Sequence, residues 1–207
     1  VSGEENQQLG ENQVESVARK ANIILIGAMG SGKSTVGACL ALKVGYGFID
    51  TDDSIERLNK KSVAEIFDSD GEAKFREMEC DLISTISGIK SHVISVGGGS
   101  VLDDGNWDVF KKIGNIVWLK TPSTEVARRF LMSPDDIRSR PLIKDLVNVE
   151  DRADRQQQLI GRLDALVAQR LEKYSQAEFV VEDSYSTPET TTRFLMRTLS
   201  KSGVLVT

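Results

Sequence analysis

Apolar residues in this chain come in short unbroken runs, separated by longer stretches with helical spacing. The run Ile23-Ile24-Leu25-Ile26 has no polar interruption and is rich in β-branched side chains, which predicts a strand buried on both faces. Similar short runs at residues 47–49, 92–96, 116–119 and 179–181 predict four more strands. Residues 33–44 and 123–131 space their apolar positions as helices do. Residues 54–70 predict two short helices, with Ile55, Leu58, Val63, Ile66 and Phe67 on apolar faces. Gly71 opens a longer helix carrying Phe75, Met78, Leu82, Ile83 and Ile86. A long polar helix is expected over residues 151–173 and a closing helix over 188–200. Residues 132–145 have no period and contain two prolines, which predicts a mobile loop.

Strands that alternate with helices predict an α/β fold of three layers, with a five-stranded parallel sheet covered on both faces. Ligands in such sheets gather beyond the carboxyl ends of the strands. Chemistry is therefore expected after Ile26, Ile49, Val96 and Leu119. The 207 residues suit one domain, placed at residues 21–200. A flexible tail rich in Glu, Gln and Asn is expected at residues 1–20, and a frayed end at 201–207.

Composition narrows the function by exclusion. A net charge of −5 without a dense Lys/Arg block argues against nucleic acid or a membrane surface as partner. No apolar run is long enough to span a bilayer, and a monomer is expected. Cys39 and Cys80, each in an apolar helix-like stretch, are expected to be buried reduced thiols in a reducing setting. The single histidine, His92, lies outside every motif and is read as structural or exposed; Trp107 and Trp118 are read as packing residues.

Chemistry enters with Gly27-Ala28-Met29-Gly30-Ser31-Gly32-Lys33-Ser34, a Walker A pattern placed between a strand and a helix. Glycines let backbone N–H groups turn in around phosphates, and the following helix aims its positive dipole end at them. Lys33 is expected to reach the β- and γ-phosphates of ATP, and Ser34 to offer its hydroxyl to magnesium. The motif identifies a nucleotide but no acceptor.

Further groups follow other strands. Asp50 and Asp52 alternate at the end of the second strand, where one carboxylate suits magnesium and the other a proton from an attacking hydroxyl. An acidic helix cap fits the same residues. Arg76 and Glu79 share one helix face, as a site or as a surface ion pair. Gly97-Gly98-Gly99 permits a close backbone approach to a ligand, or simply a tight loop. Arg138 and Arg140, in the loop without a period, suit a lid over phosphates, and Arg170 fits either a site or a helix end.

Together these segments resemble the shikimate kinase family. The resemblance rests on residues 27–35, 48–52, 71–79, 96–99, 140–142 and 170–174, and spans most of residues 22–181. It implies a nucleoside-monophosphate-kinase-like P-loop core with a lid at about residues 132–145. It implies ATP-dependent phosphorylation of the 3-hydroxyl of shikimate, a step toward chorismate and the aromatic amino acids. By residue match, Gly27, Gly30, Ser31, Gly32, Lys33, Ser34 and Thr35 would hold ATP, with Arg129 against the adenine. Ser34 and Asp50 would serve magnesium. Asp52 would bind and deprotonate the acceptor, Arg76 and Arg170 would pair with its carboxylate, and Gly97, Gly98 and Gly99 would hold its ring. Lys33 and Arg140 would stabilise charge on the transferring group.

The chain departs from compact bacterial members in a longer lid with Pro134, Asp135 and Asp136, in Leu171-Glu172-Lys173 before Tyr174, and in its N-terminal tail. A tail and a start at Val1 suit a plastid stromal enzyme after transit-peptide removal, and the cytoplasm otherwise. A gluconokinase-like enzyme would be expected to show His-Pro soon after the second aspartate, where this chain has Asp53-Ser54-Ile55. A nucleotide acceptor would not need Phe75-Arg76 together with the glycine triplet. A relative that keeps the fold for a regulatory role is the remaining alternative.

Overall fold

The computed structural model describes residues 21–182 and 187–205. The tail expected at residues 1–20 and the last two residues lie outside them. Five strands form one parallel sheet in the order β2-β3-β1-β4-β5: β1 (Asn22–Ile26), β2 (Gly47–Asp50), β3 (His92–Ser95), β4 (Gly114–Lys120) and β5 (Phe179–Glu182). The central strand β1 is wholly buried, as its unbroken apolar run requires.

The two-residue period of a strand sorts its side chains between the two faces. Ile23, Leu25, Val93, Val117 and Leu119 face a core shared with α1 (Lys33–Val44) and α9 (Pro188–Lys201). Ile24, Ile26, Ile94, Ile116 and Trp118 face the opposite core. There they meet Ile83 of α4 (Gly71–Thr85), Trp107 and Phe110 of α5 (Asp104–Ile113) and Tyr174 of α8 (Arg152–Tyr174). The expected three layers are present, and both tryptophans pack in the second core.

Two smaller cores carry the functional elements. Helices α2 (Thr51–Asn59) and α3 (Val63–Ser69) pack on α4 through Ile55, Ile66 and Phe75. Ser62 and Glu65 form a reciprocal capping box that starts α3. Helices α6 (Ser123–Met132) and α7 (Pro134–Arg138) pack with α8 through Phe130, Ile137, Ile143 and Leu159.

Several expectations are corrected. Residues 132–145 hold α7 and run into a 3-10 turn at Lys144–Asn148, with Ile137 and Ile143 fully buried. Their order comes from burial against α6 and α8 rather than from a local period. Helix α5 has no counterpart in the sequence reading. Asp52 is not in an extended stretch: α2 begins at Thr51, and the side chain of Asp50 caps it by accepting from the N–H groups of Asp52 and Asp53. Leu58 is 73% exposed, because α2 buries its Thr51–Ile55 edge and ends at Asn59. Cys39 and Cys80 are free thiols only partly buried, each at the margin of its helix's apolar stripe. Residues 201–205 are not all frayed, since Leu205 packs beside Leu199.

Candidate functional site

Two cavities open side by side at the carboxyl end of the sheet. The first, about 470 Å³, is lined by Gly30, Gly32, Lys33, Ser34 and Thr35 of the phosphate loop, by Arg128 and Arg129 of α6, and by Pro188 at the start of α9. The second, about 340 Å³, lies between α2, α4, the loop after β3 and α8. Met29, Ser34, Asp50, Asp52, Gly98 and Arg140 line both. The residues that the sequence assigns to two different ligands therefore meet at one junction.

The phosphate loop is shaped by backbone. Gly30 and Gly32 have φ of 71° and 93°, values that disfavour side chains. A Cβ on Gly30 would also stand 2.8 Å from Val126 and 2.9 Å from Phe130. Buried Lys33 donates from Nζ to the carbonyls of Gly27 and Ala28, both at 3.0 Å. Burial pulls its ammonium down to about 8, although Asp52 and Asp50 work to raise it. Gly27 and Ser31 do not line the first cavity; Gly27 supports Lys33 from behind, and Ser31 accepts from Thr121 through its carbonyl. Arg129 lines the cavity and is held by Glu125 and by the carbonyl of Gly30.

Charge dominates the second cavity. Glu79 is 1% exposed and accepts from Arg76 at 2.5 Å and from the hydroxyl of Ser100. Arg76 also donates to Glu72, at 2.7 Å. Arg170 differs: it is 3% exposed, forms no ion pair among the described residues, and its Nε is buried without a hydrogen-bond partner. Asp52 Oδ1 is likewise buried and unpartnered. Burial, reinforced by Glu79 and Asp50, pushes the Asp52 carboxyl up to about 6 against the pull of Lys33 and Arg140.

The glycine triplet makes room for these arginines. A Cβ on Gly98 would lie 2.9 Å from Arg170 Nη1, and one on Gly99 2.5 Å from Arg76 Nη1. Gly97 donates its N–H to Thr51 Oγ1 at 2.9 Å, which ties the loop after β3 to the start of α2. At the junction, Ser34 donates to Asp50 Oδ2 at 2.6 Å.

The residues singled out from sequence converge on these cavities apart from Gly27, Ser31 and Arg138; Arg138 lines neither cavity and pairs with Asp135 at the surface. Sequence reasoning left Thr51, Ser100 and Glu125 without site roles, and Glu79, read only as a partner for Arg76, also accepts from Ser100. Glu125 was visible in principle, because it precedes Arg128 and Arg129 by three and four residues, one turn of a helix, and is 1% exposed between them. Ser100 had no local signal, as its partner lies 21 residues away.

Comparison with known proteins agrees with this geometry. The family model described as shikimate kinase matches residues 29–200. A shikimate kinase of Nostoc punctiforme is 38% identical over 177 residues, covering 85% of this chain and 89% of that protein. The structure of shikimate kinase from Acinetobacter baumannii in complex with shikimate superposes with a TM-score of 0.76 at 29% identity, over 88% of this chain and 94% of that one. A gluconokinase from Sinorhizobium meliloti, at 15% identity and a TM-score of 0.51 over 89% of this chain and 94% of that one, shares the fold alone. Sequence motifs, paired cavities and relatives agree that the chain belongs to the shikimate kinase family.

Proposed function

We propose that the protein transfers the terminal phosphoryl group of ATP to the 3-hydroxyl of shikimate, giving shikimate 3-phosphate and ADP. One observation carries this reading: the buried guanidinium of Arg170, without an ion-pair partner among the described residues, faces the second cavity. A buried charge is costly until it is paired, so the cavity is built for an anion. A carboxylate matches the planar fork of an arginine, and shikimate carries one beside its ring hydroxyls.

In this reading ATP occupies the first cavity, with its phosphates on the amides of residues 30–35 and on Lys33 and its base beside Arg129. Ser34 and Asp50 suit magnesium, being oxygen donors 2.6 Å apart. Among the described residues no group of three or more His, Cys, Asp or Glu could hold a metal, and magnesium needs no such cage when phosphates supply other ligands. Once bound, it would neutralise phosphate charge.

Asp52 orients the acceptor hydroxyl and takes its proton at Oδ1. With its acidity set near 6, it is largely ionised at neutral pH and still basic enough to accept. Arg76 and Arg170 hold the carboxylate, and the amides of Gly98 and Gly99 face the ring, with Gly97 lining the cavity beside them. Lys33 and Arg140 spread the charge that develops on the transferring group, a task worth about 10³–10⁵ in rate for arginines in related reactions. Residues 21–200 act as one kinase domain, with 132–145 as its lid. A reducing compartment, plastid stroma or cytoplasm, suits the two free thiols. No helix among the described residues is long and apolar enough to cross a membrane.

The test is ADP release from MgATP with shikimate, gluconate or no acceptor. Release that requires shikimate is the expected result. Release with gluconate only, or none from protein that binds MgATP, would sink the proposal.

A further inference from the structure

Phe130 belongs to no motif, yet it touches both parts of the nucleotide machinery. It lies near the end of α6 and is 3% exposed. On one side it underlies the phosphate loop, since its Cζ would sit 2.9 Å from a Cβ at Gly30. On the other side the Arg140 guanidinium carbon stands 5.4 Å from its ring centroid.

That second contact matters because of what Arg140 lacks. Among the described residues its guanidinium takes part in no hydrogen bond or ion pair, and Nε is buried without a partner. Arg140 nevertheless faces both cavities. The backbone around it is clamped to the same wall, because Ile137 and Ile143 pack in one cluster with Phe130. A guanidinium held by a carboxylate has its donors occupied and its charge offset, as Arg76 has with Glu72 and Glu79. The face of an aromatic ring attracts the cation through its quadrupole and consumes none of its five N–H donors.

We infer that Phe130 is a positioning residue: its ring holds the Arg140 guanidinium at the junction of the two cavities and registers it against the phosphate loop through Gly30. The inference rests on the reading of Arg140 as the group that stabilises the transferring phosphoryl. The ring leaves the guanidinium's N–H donors open and places it before phosphate arrives, so little reorganisation is left for the chemical step.

The experiment combines Phe130→Leu, Phe130→Tyr, Arg140→Gln and the double variant Phe130→Leu/Arg140→Gln. It reads kcat, the KM for shikimate, and amide hydrogen exchange of residues 137–143 in the unliganded enzyme. Phe130→Leu keeps an apolar side chain in the cluster but loses the ring. It is expected to lower kcat about three- to tenfold, the size of a cation–ring contact, with the KM for shikimate unchanged. Phe130→Tyr is expected to retain wild-type kcat. In the Arg140→Gln background, Phe130→Leu should cost no further kcat and should speed exchange no further. An equal loss with and without Arg140 would mean that the ring acts through packing alone and would overturn the inference, as would an unchanged kcat in Phe130→Leu. Wild-type protein without shikimate turnover would instead overturn the functional reading, and coupled exchange effects would still report the ring–guanidinium contact.

Discussion

The nucleotide half and the acceptor half of the site are built by different means. On the nucleotide side a single contiguous loop supplies the surface, its shape fixed by left-handed glycines, and Lys33 is held by backbone carbonyls of the same loop. On the acceptor side α2, α4, the glycine triplet and α8 each contribute a charged or close-approaching group. There the geometry depends on a charge balance and on contacts between elements: Glu79 pairs with Arg76 within α4 and also accepts from Ser100, 21 residues on. The first half should break when its backbone is altered, and the second when its charge balance is altered. The acceptor half also holds polar groups that the protein itself leaves unpaired, so it should sacrifice stability for function.

Asp52→Asn tests that contrast with the largest expected effect. Removing the carboxylate proposed to accept the proton should lower kcat about 10²–10⁴-fold. The same change should stabilise the ligand-free protein. The folded-state value of Asp52, about 6, lies above the ordinary 3.8, so ionisation opposes folding. This cost is fully present above pH 6 and is lost as pH falls through 6 toward 3.8. Thermal melts should therefore show a gain of about 2–3 kcal/mol at pH 7.5 that disappears near pH 4. No gain at pH 7.5 would mean that the acceptor half is not strained by its own charges.

Arg76 and Arg170 sharpen the point, since both face one cavity and only the first is paired. Arg170→Met should raise the KM for shikimate about 30- to 100-fold, the loss of a charge-assisted pair, without lowering the melting temperature. Arg76→Met should raise the same KM and also destabilise by about 3–5 kcal/mol, because Glu79 is left buried without its cation. Equal stability in the two variants would contradict the pairing that separates them.

Gly30→Ala probes the nucleotide half. Its positive φ and the close contacts with Val126 and Phe130 should cost about 1–3 kcal/mol and weaken MgATP binding, with the shikimate site intact by fluorescence titration. The smallest effect is expected at the exposed pair of Lys144 with Asp68, which links the lid region to α3. Lys144→Ala should change stability by no more than about 0.5 kcal/mol, and added salt should erase the difference.

Legibility in the sequence followed the same division. The phosphate loop and α1 were readable because their signal is contiguous and has a direct physical meaning. The five strands were readable because buried parallel strands are short and unbroken in their apolar residues. Asp50 and Asp52 both line the cavities, though not by alternation along a strand: the extended stretch stops at Asp50, whose own side chain turns the chain into α2. Helix α5 was missed because Gly105 and Asn106 resemble a turn, and only Trp107 and Phe110 mark its buried face. Order in residues 132–145 was invisible because Ile137 and Ile143 are six apart and find their partners on α6 and α8. The pairing of Arg76 with Glu79 was offered by their spacing of three residues, but the lack of an ion pair at Arg170 was hidden, since a sequence does not record whether a carboxylate from another element reaches an arginine.

Six residues line both cavities, so the space for a nucleotide and the space for an acidic ring lie within one side chain of each other. A single inhibitor could therefore occupy both with a short linker. Its second end would engage as an intramolecular event, at an effective concentration in the millimolar range for a short flexible tether. The nucleotide-like end would supply affinity common to many ATP-binding proteins. Selectivity would come from the other end, through a carboxylate placed on Arg170.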